Sequence, residues 1–184
     1  MKKITLFEPL FQELRIRKIL PYLKKDSVLV DIGCDQPQVF IDRIKDDMKA
    51  CIGIDCVVSR YSYGNVRILC QDLQKKIDFP SQSADIVTMM AVLEHMKHPK
   101  DIVRECFRIL KKGGMLLITV PSPSSKPLLD LFAKVGLVRK EMIEQHENYF
   151  TEERLRKVMK NVGFQKVNVQ MFEFGFNTFC KAVK

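Results

Sequence analysis

The sequence predicts an α/β fold: a doubly wound, mostly parallel sheet finished by an antiparallel C-terminal β-hairpin. Three observations predict it. Short, continuously apolar, β-branched runs recur along the chain, as expected of strands buried on both faces. Segments of helical periodicity separate them, which implies βαβ units. Near the C-terminus two strand-like runs, 165–174 and 176–183, are separated by Gly175 alone, a link that permits only an antiparallel hairpin.

Taken in order, residues 8–23 place Leu10, Phe11, Leu14, Ile19, Leu20 and Leu23 at helical spacing, with Pro9 near the first turn, where a missing N–H costs nothing. Strands follow at 27–33, 50–55, 66–70, 84–90 and 115–120. Helices fill 39–48 and 102–110, the second closed by Lys111-Lys112-Gly113-Gly114, with basic residues for the last turn and glycine for a left-handed cap. The gap from Asp55 to Val66 is too short for a helix with its loops and reads as a turn or loop. Residues 125–138 read as a helix interrupted by Gly136. Thr151 caps a further helix that carries Glu152 and Glu153 in its first turn and ends near Gly163.

The 184 residues suit one domain, 1–184, with an N-terminal helix in 1–24 and a substrate-side cap segment in 121–150. With 46% hydrophobic and 29% charged residues the chain is globular rather than disordered. The start carries no apolar signal core and no run reaches the roughly 20 residues that span a bilayer, so a cytoplasmic location is expected. The six cysteines form no CxxC pair and read as reduced, mostly buried thiols. The net charge of +9 is spread over scattered pairs rather than one block, so it marks no nucleic-acid motif and suits a solvated surface or an anionic small molecule. His95 and His98 lack a third ligand, and no metal site is expected.

Open α/β sheets bind ligands beyond the carboxyl ends of their strands, where strand order reverses. Here those ends carry Asp31, Gly33, Cys34 and Asp35, then Asp55 and Cys56, then Gln71, Asp72 and Leu73, then Ala91 and His95. Successive carboxylates suit a ligand with an ammonium, a ribose diol and an exocyclic amine, and would repel a pyrophosphate. A nicotinamide dehydrogenase shares the early pattern, but its GxGxxG loop is absent.

These segments carry a resemblance. Val28-Leu29-Val30-Asp31-Ile32-Gly33-Cys34, Gly53-Ile54-Asp55, Cys70-Gln71-Asp72-Leu73, Val92-Leu93-Glu94-His95, Arg108-Ile109-Leu110-Lys111-Lys112-Gly113-Gly114 and Asn148-Tyr149-Phe150-Thr151 stand in the order found in small class I S-adenosylmethionine-dependent methyltransferases of the type 11 sort. The chain resembles that family nearly end to end. The resemblance implies a Rossmann-like fold and S-adenosyl-L-methionine as cofactor. It places Asp31 near the cofactor's amino group, Gly33 against its methionine moiety, Asp55 on the ribose, Asp72 and Leu73 on the adenine, and Ala91 and His95 beside the methyl donor. It also suggests a small-molecule acceptor, with a sugar or polysaccharide precursor as its class.

The sequence departs from the family's Gly-x-Gly-x-Gly loop, reading Gly33-Cys34-Asp35-Gln36-Pro37. Asp35 either adopts the left-handed conformation that aspartate tolerates, or serves as N-cap of the next helix with Pro37 in its first turn. The second alternative keeps the turn but weakens backbone access, which would leave a non-catalytic binding module. Methyl transfer needs positioning more than side-chain chemistry, so no obligatory catalytic residue is legible. The candidates are His95 and His146, the latter either a general base facing the acceptor or an exposed loop histidine.

Overall fold

The computed structural model describes residues 8–125 and 149–184. The expected helix at 125–138, most of the cap segment and His146 lie outside the described residues.

Among the described residues eight strands form one sheet: β1 (Val28–Ile32), β2 (Ala50–Asp55), β3 (Tyr61–Tyr63), β4 (Val66–Cys70), β5 (Ala84–Met90), β6 (Leu110–Pro121), β7 (Asn168–Phe172) and β8 (Asn177–Val183). Their order is β3-β4-β2-β1-β5-β6-β8-β7. β4, β2, β1, β5 and β6 are parallel, while β3 and β8 pair antiparallel to their neighbours. β1 leads to β2 on one side while β5 and β6 extend the other, so order reverses between β1 and β5.

Helices cover both faces. Ile16 and Ile19 of α1 (Glu8–Ile19) and Phe40, Ile41 and Ile44 of α2 (Val39–Ile44) pack with Leu29, Ile68, Ile86, Leu117 and Phe179. On the other face, Ile102, Val103, Cys106 and Ile109 of α3 (Pro99–Ile109) pack with Leu155, Val158 and Met159 of α4 (Glu152–Val162) against Val30, Val87, Leu116 and Ile118. Spacing of three and four residues puts each helical set on one stripe, and burying each large side chain contributes roughly 1.5–3 kcal/mol.

The ends of α4 follow its sequence. Thr151 Oγ1 accepts from Arg154 N at 3.2 Å, and Gly163 closes the helix at φ 117°. Phe164 then meets Phe107 edge-on, ring centres 5.0 Å apart.

Four expectations are corrected. The Asp55–Val66 gap holds β3, a three-residue edge strand mostly exposed and therefore without an apolar pattern to reveal it. Lys111 and Lys112 belong to β6, not to a helical last turn, because α3 stops at Ile109 and the chain turns extended at once. Lys111 instead reaches Asp85 Oδ1 at 2.7 Å, while Asp85 Oδ2 accepts from Val28 N at 2.9 Å, which clamps the amino ends of β1, β5 and β6. The first helix gives way at Leu20 to a 3-10 turn containing Pro21, which has no N–H for an α-helical bond. The hairpin's link is longer than Gly175: β7 ends at Phe172, and Glu173, Phe174 and Gly175 all take positive φ.

Candidate functional site

The carboxyl ends of β1 and β5 meet at the point where strand order reverses, and the chain there is held in conformations most residues avoid. Gly33 has φ 78°, Asp35 48° and Ala91 55°. A Cβ on Gly33 would lie 2.1 Å from Val92 Cγ2, so this turn admits no side chain at all. Non-glycine residues in the left-handed region cost of order 1–3 kcal/mol and persist where surrounding bonds fix them.

Those bonds converge on Asp55. Its Oδ2 accepts from Asp35 N at 3.0 Å and its Oδ1 from Val57 N at 3.1 Å. Gly33 N donates to Ile54 O at 2.8 Å. The loop after β1 is thus tied to the end of β2. Gln38 Nε2 donates to Asp35 O at 2.6 Å, and Tyr61 of β3 donates its hydroxyl to Gln38 Oε1 at 2.5 Å. Gln38, not Asp35, precedes α2 at its cap position, and Pro37 lies outside the helix. The N-cap alternative for Asp35 is therefore wrong: Asp35 takes the left-handed conformation that the family's glycine would take.

Asp31 sits beneath this loop rather than on it. It is only 2% exposed, and its Oδ1 accepts from Thr88 Oγ1 at 2.6 Å. Burial, opposed by that bond and assisted by the charge of Asp55, raises its carboxyl to about 7. Cys34 is buried beside these acids, and burial together with the charges of Asp31 and Asp55 pushes its thiol far up, away from any thiolate. Cys56 is exposed, and the Cys70 thiol donates to its carbonyl.

At the end of β4, Gln71 is spent on structure. It donates to Asp78 O at 3.1 Å and accepts from Asp78 N at 2.8 Å. Asp72 is exposed, and accepts from Gln74 N at 3.0 Å, a bond that together with Lys75 lowers its carboxyl. Leu73 is buried and lines a cleft of about 320 Å³ with Gln74, Met96 and His98. After β5, Ala91 N donates to Thr119 O at 2.8 Å, and half-buried His95 offers its carbonyl to Gln74 Nε2 at 3.2 Å. The sequence-predicted residues thus lie along one edge, except that Asp31 and Cys34 are beneath its surface and His146 is not described.

Sequence reasoning missed Thr88, Gln38 and Tyr61, which hold this edge together; each lies in a segment whose own pattern signals only strand, turn or loop. It also passed over Glu94, 1% exposed, whose carboxyl is raised by burial. That residue was quoted inside a motif, and the signal was available: a carboxylate among apolar neighbours. Among the described residues no group of three or more metal-ligating side chains occurs, and no helix is long and apolar enough to cross a membrane.

A doubly wound sheet with a glycine turn after β1, carboxylates at successive strand ends and an antiparallel strand beyond β6 defines a Rossmann-like methyltransferase fold. The family model described as a methyltransferase domain matches residues 7–169. The chain belongs to that family of methyltransferase domains. It is 26% identical over 163 residues to the ubiquinone/menaquinone biosynthesis C-methyltransferase UbiE of Ectopseudomonas mendocina, covering 80% of this chain and 63% of that protein. The chain therefore spans a little under two thirds of the length of that relative. A SAM-dependent methyltransferase from Archaeoglobus fulgidus superposes with a TM-score of 0.74 at 18% identity, covering 97% of this chain and 98% of that one. A phosphoethanolamine N-methyltransferase 2 of Haemonchus contortus, solved with S-adenosylhomocysteine, gives 0.67 at 16% identity, over 94% of this chain and 52% of that one.

The donor set fits the adenosyl group. Each oxygen of Asp55 holds one backbone amide, and a carboxylate offers about four acceptor positions, so it could also accept from a ribose diol. The pinned left-handed turn leaves the backbone at Gly33 without a side chain over it.

Proposed function

We propose that the chain methylates a carbon atom of a small-molecule acceptor related to quinone precursors. The observation that carries this is the pinned turn at the strand-order reversal, with Asp35 in the left-handed conformation and its amide on Asp55. A loop kept in that shape supports a working cofactor site over a non-catalytic module. The UbiE relative supports carbon as the methylated atom; it lends no support to the sugar acceptor that the sequence suggested.

When bound, S-adenosylmethionine supplies a methyl group already activated by its sulfonium. The protein's own task is then to position and to exclude water. Asp55 would accept from the ribose hydroxyls. Asp72 and Leu73 would flank the adenine, one accepting from its amine and the other packing on its face. Gly33 would let the backbone approach the methionine moiety. Ala91 and His95 would border the methyl group. Asp31 is a positioning residue acting through Thr88 and the loop, since it is sealed from solvent.

Calorimetry with S-adenosylhomocysteine and with NAD tests the cofactor half. Saturable binding of the first and none of the second is expected. Failure to bind S-adenosylhomocysteine would remove the methyltransferase reading. Mass spectrometry of the product then tells carbon from oxygen or nitrogen methylation.

A further inference from the structure

Of the six cysteines four are buried and two are exposed, and the exposed two, Cys56 and Cys70, are neighbours at the carboxyl edge of the sheet. Free thiols are among the groups most often buried, so an exposed adjacent pair calls for a reason. β2 and β4 run parallel with Asp55 opposite Cys70, and Cys56 is the next residue after Asp55. Strands about 4.8 Å apart that rise about 3.3 Å per residue put the α-carbons of Cys56 and Cys70 about 6 Å apart, within the range of about 4.4–6.8 Å that disulfides bridge. The Cys70 thiol already reaches this neighbour, donating to Cys56 O at 3.7 Å. Gln71 N donates to Asp55 O at 2.9 Å, which fixes the two strand ends against each other.

The pair sits within the candidate site rather than beside it. Cys56 directly follows Asp55, and Cys70 stands two residues before Asp72. Asp55 Oδ1 accepts from Val57 N at 3.1 Å, so the turn that carries Cys56 also holds this carboxylate. Residues 56–60 form neither helix nor strand, and no ladder of backbone bonds resists a shift of that turn. Burial and the charge of Asp55 raise the Cys56 thiol and keep it protonated, which suits it to react second, with a carboxylate beside it to take its proton.

We propose that Cys56 and Cys70 form a modification site at which a hydroperoxide closes a disulfide, and that the closed form binds the cofactor poorly. The inference rests on the cofactor reading of Asp55 and Asp72 and adds its control. The Cys70 sulfur attacks the peroxide: the O–O bond breaks, an S–O bond forms, and water leaves a sulfenic acid on the protein. The Cys56 sulfur then displaces the sulfenic hydroxyl, which departs as water with the Cys56 proton. Two thiols are oxidised to one disulfide, and one hydrogen peroxide is reduced to two waters. The new bond draws Cys56 towards β4 and the Val57 amide away from Asp55 Oδ1, so the carboxylate loses one of the two amides that fix it. Oxidation and binding are then reciprocal: a tenfold weaker affinity in the disulfide form means that saturating cofactor raises the potential of the pair by about 30 mV.

The test uses the full chain, reduced, then treated with hydrogen peroxide at about pH 8, near the usual thiol range, and alkylated. Intact mass shows the loss of two hydrogens, and fragmentation maps the link to Cys56 and Cys70. Affinity for S-adenosylhomocysteine, by calorimetry, falls at least about tenfold on oxidation and returns with dithiothreitol. Saturating S-adenosylhomocysteine slows formation of the link. Cys56→Ser and Cys70→Ser each abolish it, and peroxide leaves the affinity of either variant where it stood before treatment. Absence of the link once peroxide has consumed the exposed thiols overturns the proposal. A link that forms with affinity unchanged does so too, as does a loss of affinity that persists in both serine variants. Failure of the reduced parent to bind S-adenosylhomocysteine removes the cofactor reading before any peroxide is added, and the control proposed here falls with it.

Discussion

The carboxyl edge of the sheet has two halves that treat polar groups in opposite ways. Around β1, β2 and β4, carboxylates are spoken for by the protein: Asp31 by Thr88, Asp55 by two backbone amides, Asp72 by Gln74 N and Lys75. Around β6 and β8, Thr119, Asn177 and Glu173, joined by Glu94 and Arg15, bury atoms with nothing to bond. A satisfied site is rigid before its ligand arrives, so little ordering cost is left for binding. An unsatisfied one carries a desolvation penalty of about 1–3 kcal/mol per atom until something complementary enters. The contrast separates a half whose carboxylates are bonded within the protein from a half that gives up stability where polar atoms are buried unbonded.

The sharpest way to break this contrast is Gly33→Ala. The added methyl meets Val92 at 2.1 Å on a backbone of φ 78°, so denaturant unfolding should show a loss of about 2–5 kcal/mol, with S-adenosylhomocysteine binding abolished. A normal variant would mean that the turn is not rigid. Next in size, Asp55→Ala strands the amides of Asp35 and Val57. Stability falls by about 1–3 kcal/mol and cofactor affinity roughly 30-fold or more, by calorimetry. From the residues alone Asp55 looks like a ligand contact only; its two amides make it a structural tie as well.

Asp31→Asn refines the picture through pH. Because burial raises Asp31 to about 7, the native state holds a proton that the unfolded chain has released between pH 4 and 7. Stability therefore falls as pH rises through that window, at up to about 1.4 kcal/mol per pH unit, and levels off above it. The asparagine variant, with an oxygen still able to accept from Thr88, should lose this slope and be more stable than the parent above pH 7. Identical urea midpoints for both proteins across pH 4–8 would contradict an elevated Asp31. The smallest effect is expected at exposed Asp72. Its replacement by alanine should leave the thermal midpoint unchanged and weaken S-adenosylhomocysteine about 3–10-fold, the loss of one hydrogen bond.

What the sequence disclosed follows the same divide. The buried strands, the capped α4 and the antiparallel close of the sheet were legible because each is dictated by local pattern: apolar runs, Thr151 and Gly163, a hairpin too short to cross over. β3 was not, since Tyr61–Tyr63 is exposed and gains strand conformation only from pairing with β4. The edge bearing Asp55, Asp72 and Ala91 could be placed because strand ends are local facts. That Asp31 lies sealed against Thr88, or that the charge of Arg15 in the first helix is felt by Glu94 and Glu173, depends on the approach of distant segments, which no window of sequence contains.

The placement of β8 between β6 and β7 has a consequence in time. β8 follows β7 in the chain, so β7 has no sheet partner until β8 has been made, and β6 stays an open edge whose backbone groups on that side are unpaired. During synthesis, β1 to β6 can assemble first, and with them the turn at Gly33 and its tie to Asp55. Glu173 and Asn177 arrive with the closing hairpin. The nascent protein thus completes the tied turn at Gly33 before the hairpin that closes the sheet, and it is most prone to pair with another chain in the interval between them.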